Sequence, residues 1–102
     1  MHRETQATAI SNSVKLAVYI RDGERCILCK RPVHWSCACA HVVRRSQGGK
    51  GVEQNVVTLC PACHRETDEG PMSKANMRDI IKYITDLYPG WTRAQVTYKK
   101  GD

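Results

Sequence analysis

The chain has 102 residues, a length that predicts one small domain with a modest apolar core. Phenylalanine is absent and the aromatic residues are 2 Trp and 4 Tyr, so a metal staple would offset the small core. The 16 basic and 10 acidic residues give a formal net charge of +6, which favours a polyanionic partner. No apolar run reaches the length of a membrane span and no signal-peptide core is visible, which excludes a membrane partner and predicts a cytoplasmic protein.

The first half of the chain predicts a helix followed by two short strands. Residues 1–12 are polar and predict a flexible N-terminal arm. Residues 13–21 have apolar side chains at helical spacing after a possible Ser13 cap, and they end at an Asp-Gly turn. Residues 37–43 and 55–59 are typical of short strands. The glycines at 48, 49 and 51 predict that the loop between these strands is long and flexible.

The second half predicts helices. One helix opens at Cys60 and runs toward Asp68, and the strongest helix covers residues 73–88, with Ser73 as its cap and one apolar stripe. Residues 95–98 predict an edge strand and residues 99–102 a basic tail. The elements together predict an α+β domain over residues 13–98, in which a ββα unit is flanked by an N-terminal helix and a longer C-terminal helix.

Two Cys-x-x-Cys pairs predict a structural zinc site with four ligands: Cys26, Cys29, Cys60 and Cys63. The segment between the pairs is longer than usual, which indicates that it has a function of its own. A thioredoxin-type redox pair and c-type haem attachment at Cys60–His64 are alternatives, as is His64 as the fourth zinc ligand. Cys37 and Cys39 remain as free thiols, a disulfide or replacement ligands.

Three separated blocks resemble the HNH endonuclease family: Ala40–Gly49, Asn55–Cys60 and Cys63–Arg65. The cysteine pairs resemble those of its zinc-stapled branch, and Tyr88–Trp91 resembles small bacteriophage HNH proteins. The resemblance implies a ββα-metal fold with His41, Asn55 and His64 as the catalytic residues. In that scheme His41 is the general base, Asn55 holds the catalytic loop, and His64 ligates a divalent cation.

One position departs from the family pattern. In much of the family the residue before the general base is a metal-ligating Asp or His, whereas here it is Ala40. Asp68 lies four residues after His64, on the same helix face, and could replace that ligand. Otherwise the ion is held loosely, or His41 ligates it while His34 or a water chain acts as the base. Oxygen ligands predict Mg²⁺ or Mn²⁺, with Ni²⁺ and Zn²⁺ as alternatives.

The basic residues around these blocks predict contacts with DNA phosphates and weak sequence specificity: Arg44, Arg45, Lys50 and Arg65. The resemblance implies a metal-dependent endonuclease that nicks or cleaves DNA as a monomer or dimer. It also implies a bacteriophage-related role, with phage packaging proteins as partners. The alternative is a zinc-stapled module that binds DNA without cutting it.

Overall fold

The computed structural model describes residues 7–98. Residues 1–6 of the predicted arm and the predicted basic tail at 99–102 lie outside the described residues. Residues 7 and 8 are helical, and the other α-helices and the strands within residues 7–98 are α1 (Asn12–Arg21), β1 (Ala40–His41), β2 (Val56–Val57), α2 (Pro61–Glu69) and α3 (Ser73–Leu87). The strands pair antiparallel, with Ala40 opposite Val57 and His41 opposite Val56. This arrangement confirms the predicted α+β class and the order of its elements.

The small sheet separates two apolar clusters, one on each face. Val57 and Ala40 pack in the larger cluster, which also contains Cys26 and Cys60 and, from α3, Ile80 and Ile84. Val56 packs in the smaller cluster against Val18 of α1. Because side chains alternate along a strand, residues on one strand reach both clusters. The sheet is thereby held between α1 and α3.

The helix ends differ from the sequence predictions by one or two residues. Ser11, rather than Ser13, caps α1, and its Oγ accepts a hydrogen bond from the Val14 N–H at 3.2 Å. Ser73 is the first residue of α3 rather than its cap. Its hydroxyl donates to the Thr67 carbonyl at 2.5 Å, so it joins α3 to α2.

The strands are shorter than predicted because their flanking residues bond elsewhere. A 3₁₀-helix occupies Trp35–Cys37, and the Thr58 carbonyl accepts from the Ile27 N–H at 3.0 Å. The predicted edge strand at 95–98 is also different, since Ala94–Val96 form a 3₁₀-helix and Thr97 makes a single bridge to Gly49.

The loop between the strands is ordered, which differs from the predicted flexibility. Two 3₁₀-helices, Arg45–Gln47 and Glu53–Asn55, occupy much of it. The Lys50 N–H donates to the Val96 carbonyl at 2.8 Å, and the Tyr98 N–H donates to the Gly48 carbonyl at 2.6 Å. Gly48 has a φ of 85°, a conformation that favours glycine. The C-terminal segment therefore fixes the loop in place.

The turn after α1 contains a buried carboxylate. Asp22 accepts hydrogen bonds from the Arg21 guanidinium at 2.8 Å, the Thr58 N–H at 2.9 Å and the Tyr83 hydroxyl at 2.6 Å. Burial and the bond to Asp22 raise the pKa of Tyr83 to about 12, so the hydroxyl stays a donor. Asp22 consequently ties α1, β2 and α3 together.

Candidate active site

The four cysteines of the two pairs form one cluster. Their sulfur atoms all lie within 4.8 Å of one another, and the Cys29 and Cys60 sulfurs are 3.7 Å apart. A tetrahedron with Zn–S bonds of about 2.3 Å has edges of about 3.8 Å, so the cluster has the dimensions of a zinc site. The pairs are arranged to bind a metal and they suggest zinc, as predicted. Since Cys60 and Cys63 both belong to the cluster, the haem interpretation of this pair loses its support.

Local geometry prepares these thiols for a cation. Cys60 precedes α2 and Pro61 occupies its first turn, where a fixed φ favours helix initiation. Burial opposes ionisation of Cys26, but hydrogen bonds from the backbone N–H groups of Cys29, Cys60 and Leu28 lower its pKa to about 7. Burial and the neighbouring Cys60 thiol raise the pKa of Cys63. One thiol therefore ionises readily while another keeps its proton, and a divalent cation would stabilise all four as thiolates.

An open cleft of about 720 Å³ lies between the end of β1, the loop that follows it and α2. Three of the predicted catalytic and metal-binding residues line it: His41, His64 and Asp68. The structure thus brings the predicted general base and the predicted metal ligands to one cavity.

His41 stands at the end of β1, half-buried, and its Nε2 is 2.9 Å from the carbonyl oxygen of Thr8. Burial lowers the pKa of His41 below the ordinary value of 6.5, and the charges of Arg45 and His64 act in the same direction, while the bond to Thr8 opposes them. A histidine with a lowered pKa is mostly neutral at pH 7 and can accept a proton. The protonation state therefore suits a general base.

His64 and Asp68 lie one turn apart on α2, and the His64 Nε2 is 3.6 Å from the Asp68 Oδ2. This separation is too long for a hydrogen bond but short enough for both atoms to ligate one ion at about 2.1 Å. Both side chains are accessible to solvent, so water and phosphate could fill the remaining coordination positions.

Asn55 is fully buried and holds the loop that carries Arg44 and Arg45. Its Oδ1 accepts from the Val43 N–H at 2.8 Å. Its Nδ2 donates to the Val43 carbonyl at 3.2 Å and to the Lys50 carbonyl at 2.9 Å. A Cβ at Gly49 would lie 1.7 Å from the Val43 carbonyl oxygen, so only glycine permits this close packing.

Ala40 faces the core rather than the cleft. It is 3 % exposed and packs with Val42 and Val57, on the opposite side of β1 from His41. A carboxylate at this position would be buried among apolar side chains without a partner, which is strongly unfavourable for its ionised form. A metal-ligating side chain at position 40 would therefore face the core and would not reach the cleft.

His34 lies outside the cleft, contrary to the alternative in which it serves as the base. Its Nδ1 accepts from the Ser36 N–H at 3.2 Å and is 2.9 Å from the Ser36 hydroxyl. This histidine caps the 3₁₀-helix Trp35–Cys37.

The structure separates the four predicted DNA-contacting residues. Arg44 and Arg45 line the cleft, whereas Lys50 lines a different depression beside Val96 and Arg65 is exposed on α2. Arg44 also donates to the Asp68 carbonyl at 3.1 Å, so it connects the loop to the last turn of α2.

The sequence analysis missed several residues that line the cleft: Ala9, Ile10, Lys15, Cys39, Ser46 and Glu69. Cys39 could have been identified, since it lies two residues before His41 and strand alternation places both on one side. Lys15 had no local signal, because its position depends on how α1 packs against the sheet. Ala9 belongs to the predicted arm, and its approach to the cleft also depends on tertiary contacts.

Residues 26–70 match the family model described as HNH endonuclease. The matched segment contains the cysteine cluster, β1, β2 and α2, together with the three residues that the resemblance singled out. The comparisons with curated proteins and with solved structures found no significant match. Among residues 7–98, no helix has the length and apolar character that crossing a membrane requires.

Proposed function

Because residues 26–70 match the HNH endonuclease family model and the cysteine cluster is consistent with a zinc-stapled branch, we propose that the chain is a divalent-metal-dependent DNA endonuclease. The observation that carries the proposal is the shared cleft. A half-buried histidine with a lowered pKa, a His–Asp pair and two arginines line one cavity of about 720 Å³. Hydrolysis of a phosphodiester needs a base, a cationic centre and a phosphate cradle, and these residue types supply all three.

His41 would act as the general base. Its pKa lies below 6.5 because of burial, so the neutral form predominates at pH 7 and can take the proton from the attacking water. Asn55 would support this step without touching the substrate, because it fixes the backbone at Val43, two residues after His41.

His64 and Asp68 would hold the divalent cation. Such an ion, when bound, supplies positive charge at the scissile phosphate and at the leaving oxygen. One imidazole nitrogen and one carboxylate oxygen suit Mg²⁺ or Mn²⁺ with water completing the shell, and Ni²⁺ or Zn²⁺ are the alternatives.

Arg44 and Arg45 would position the DNA backbone, since they line the cleft on the side of the loop. Lys15 extends the basic lining from α1. These side chains would neutralise phosphates rather than recognise bases, which implies weak sequence specificity and strong salt dependence. The positions of Lys50 and Arg65 suggest contacts with DNA outside the cleft.

A non-catalytic, zinc-stapled DNA-binding module is the second candidate. The buried Ala40 favours it, because position 40 supplies no ligand where much of the family has a metal-ligating Asp or His. The two functions share the basic cleft and differ in whether a phosphodiester is broken.

The test is conversion of supercoiled plasmid to nicked and linear forms by the zinc-loaded protein, with Mg²⁺, Mn²⁺ or Ni²⁺ added or withheld. We expect metal-dependent conversion, and we expect His41→Ala to reduce it by about 10²–10⁴-fold, the usual contribution of a general base. His34→Ala is the matched control, since this exposed histidine lies outside the cleft and should leave the rate unchanged.

Gel retardation of the same DNA distinguishes the two candidates. Binding by the wild-type protein without conversion in any of the metals would refute the endonuclease and support the DNA-binding module. Equal activity of the His41→Ala and wild-type proteins would refute the role of His41.

The similarity of Tyr88–Trp91 to small bacteriophage HNH proteins supports a phage-related, cytoplasmic role with packaging proteins as partners. Co-purification with those proteins from infected cells would test it. A single cleft cuts one strand at a time, so linear product from a monomer would arise by successive nicks, and sizing the active species checks whether it is a monomer or a dimer.

A further inference from the structure

The residues just before α1 lie against the cleft, although they precede the family match at 26–70. We call residues 7–10 the N-terminal strap. Ala9 and Ile10 line the cleft, and Ile10 also packs on the apolar cluster around Val18. Thr8 is 2 % exposed. The strap is therefore a wall of the cavity rather than an extension into solvent.

Three hydrogen bonds attach the strap to the elements that carry the site. The Gly51 N–H donates to the Ala7 carbonyl at 3.0 Å. The Arg45 Nε donates to the Thr8 hydroxyl at 3.0 Å. The His41 Nε2 lies 2.9 Å from the Thr8 carbonyl oxygen. The strap thus connects the base candidate to two points of the loop, Arg45 and Gly51.

The loop is shaped to receive the strap at Gly51. A Cβ added at Gly51 would lie 2.0 Å from the Ala9 carbonyl oxygen and 2.5 Å from its carbon. Both are backbone atoms and cannot rotate away, so any larger residue at 51 would displace the strap.

The contact with Thr8 decides where the proton of His41 resides. A carbonyl oxygen only accepts hydrogen bonds, so Nε2 must carry a hydrogen. A neutral imidazole has one N–H, which leaves the lone pair on Nδ1. Among residues 7–98, no hydrogen bond from the protein engages Nδ1 of His41. Nδ1 is then available to a water molecule.

We propose that the N-terminal strap is part of the active site and that the Thr8 carbonyl fixes His41 in the tautomer whose Nδ1 accepts the proton. Thr8 is a positioning residue, acting through His41, and the inference rests on the proposed function for the chemistry that follows. The proton of the attacking water passes to Nδ1, while Nε2–H stays bonded to Thr8. His41 becomes an imidazolium, and Thr8 then stabilises it as it stabilised the neutral ring.

Gly51→Ala in the full-length, zinc-loaded protein tests the proposal, because its methyl group collides with the strap. Gly48→Ala is the control, since its Cβ would lie 2.8 Å from the carbonyl oxygen of Tyr98, in the C-terminal segment rather than in the strap. Each variant pushes one methyl group against one backbone carbonyl. Thr8→Val is a milder second variant, which removes the hydroxyl that accepts from Arg45 and keeps the fold testable if Gly51→Ala fails to bind zinc.

The first readout is the histidine tautomer, measured from ¹⁵N shifts at pH 8. We expect a single Nε2–H tautomer of His41 in the wild type and in Gly48→Ala, and a mixture in Gly51→Ala or Thr8→Val. An Nδ1–H tautomer in the wild type, or an unchanged single tautomer in both strap variants, overturns the proposal.

The second readout is the plasmid nicking rate, which we expect to be about tenfold lower in Gly51→Ala than in Gly48→Ala. A misoriented base loses only a part of its contribution to the rate. Faster nicking by Gly51→Ala overturns the proposal, because the strap would then be a cover that inhibits the site. A strap-dependent tautomer without nicking by any of the proteins refutes the proposed function but supports the positioning of His41.

Discussion

Substitution of Asn55 by alanine should destabilise the whole domain and displace the catalytic loop. The side chain is fully buried and makes three hydrogen bonds to the backbone of Val43 and Lys50. Alanine would remove all three bonds and leave the Val43 N–H without its partner. The amide is thus the central support of a loop that has little regular structure.

The magnitude follows from those three bonds. A buried hydrogen bond contributes about 1 kcal/mol net, and an orphaned buried donor costs about 1–3 kcal/mol. We therefore expect Asn55→Ala to lower the free energy of unfolding by about 3 kcal/mol. In a domain of this size the same change lowers Tm by about 12–24 °C.

Urea unfolding of the zinc-loaded protein, followed by circular dichroism, measures this difference. Gln54→Ala is the control, because Gln54 is exposed and Trp91 bonds only its backbone carbonyl, so we expect a change within about 0.5 kcal/mol. Asn55→Asp should also be less stable than the wild type, because a carboxylate keeps the bond from the Val43 N–H and cannot donate to the carbonyls of Val43 and Lys50.

A loss of less than 1 kcal/mol in Asn55→Ala, at equal zinc content, would refute the reasoning. It would mean that the contacts of Gly48 and Lys50 with residues 96–98 hold the loop without the amide.

The pH–rate profile of plasmid nicking should have its acid limb below pH 6.5, because burial lowers the pKa of His41 and only the protonated form is inactive; a limb at or above 6.5 would contradict this. Cys63→Ser should lose zinc and cooperative unfolding, whereas Cys37→Ser, outside the cluster, should keep one zinc per chain by metal analysis. Asp22→Ala should cost about 3–5 kcal/mol in urea unfolding, because it removes the buried counter-ion of Arg21 and the acceptor of the Thr58 N–H and the Tyr83 hydroxyl. Asp86→Ala, which breaks an exposed pair, is the control, and equal effects would refute the role of the buried carboxylate.

The parts of the fold that the sequence predicted depend on local patterns. Three features depend only on spacings of a few residues along the chain: the Cys-x-x-Cys pairs, the helix after Cys60 and the apolar stripe of residues 73–88. The structure contains the cysteine cluster and both helices. The HNH resemblance was confirmed for residues 26–70 for the same reason, since its blocks are short and contiguous.

The parts that it did not predict depend on backbone contacts between distant segments. The Thr8 carbonyl would be present whatever residue stood at position 8, so no sequence signal marks its bond to His41. The glycines at 49 and 51 suggested flexibility, but each is required for close packing against another backbone. In the sequence Asp22 is typical of a turn residue. Its burial and its bond to Tyr83 depend on how α3 lies beside the end of α1.

The strands were predicted too long for a related reason. Their β-branched residues would suit a longer ladder, but the Ile27 N–H takes the carbonyl of Thr58 instead. The β propensity of these residues favours extended structure. Where the strand pairing ends is decided by which hydrogen-bond partner each backbone N–H and carbonyl group takes.

The position of the cysteine cluster links metal uptake to the cleft. The cluster lies between the segment before β1 and the start of α2, so a bound ion would close the segment that contains His41 and Asn55. Metal binding at the cysteine cluster and ordering of the loop are then thermodynamically coupled. The free energy by which the ion stabilises the ordered loop equals the free energy by which the ordered loop tightens binding of the ion. A variant of Asn55 should therefore bind zinc more weakly even though it touches no ligand, and a shortage of zinc in the cell would lower the fraction of chains with an assembled cleft.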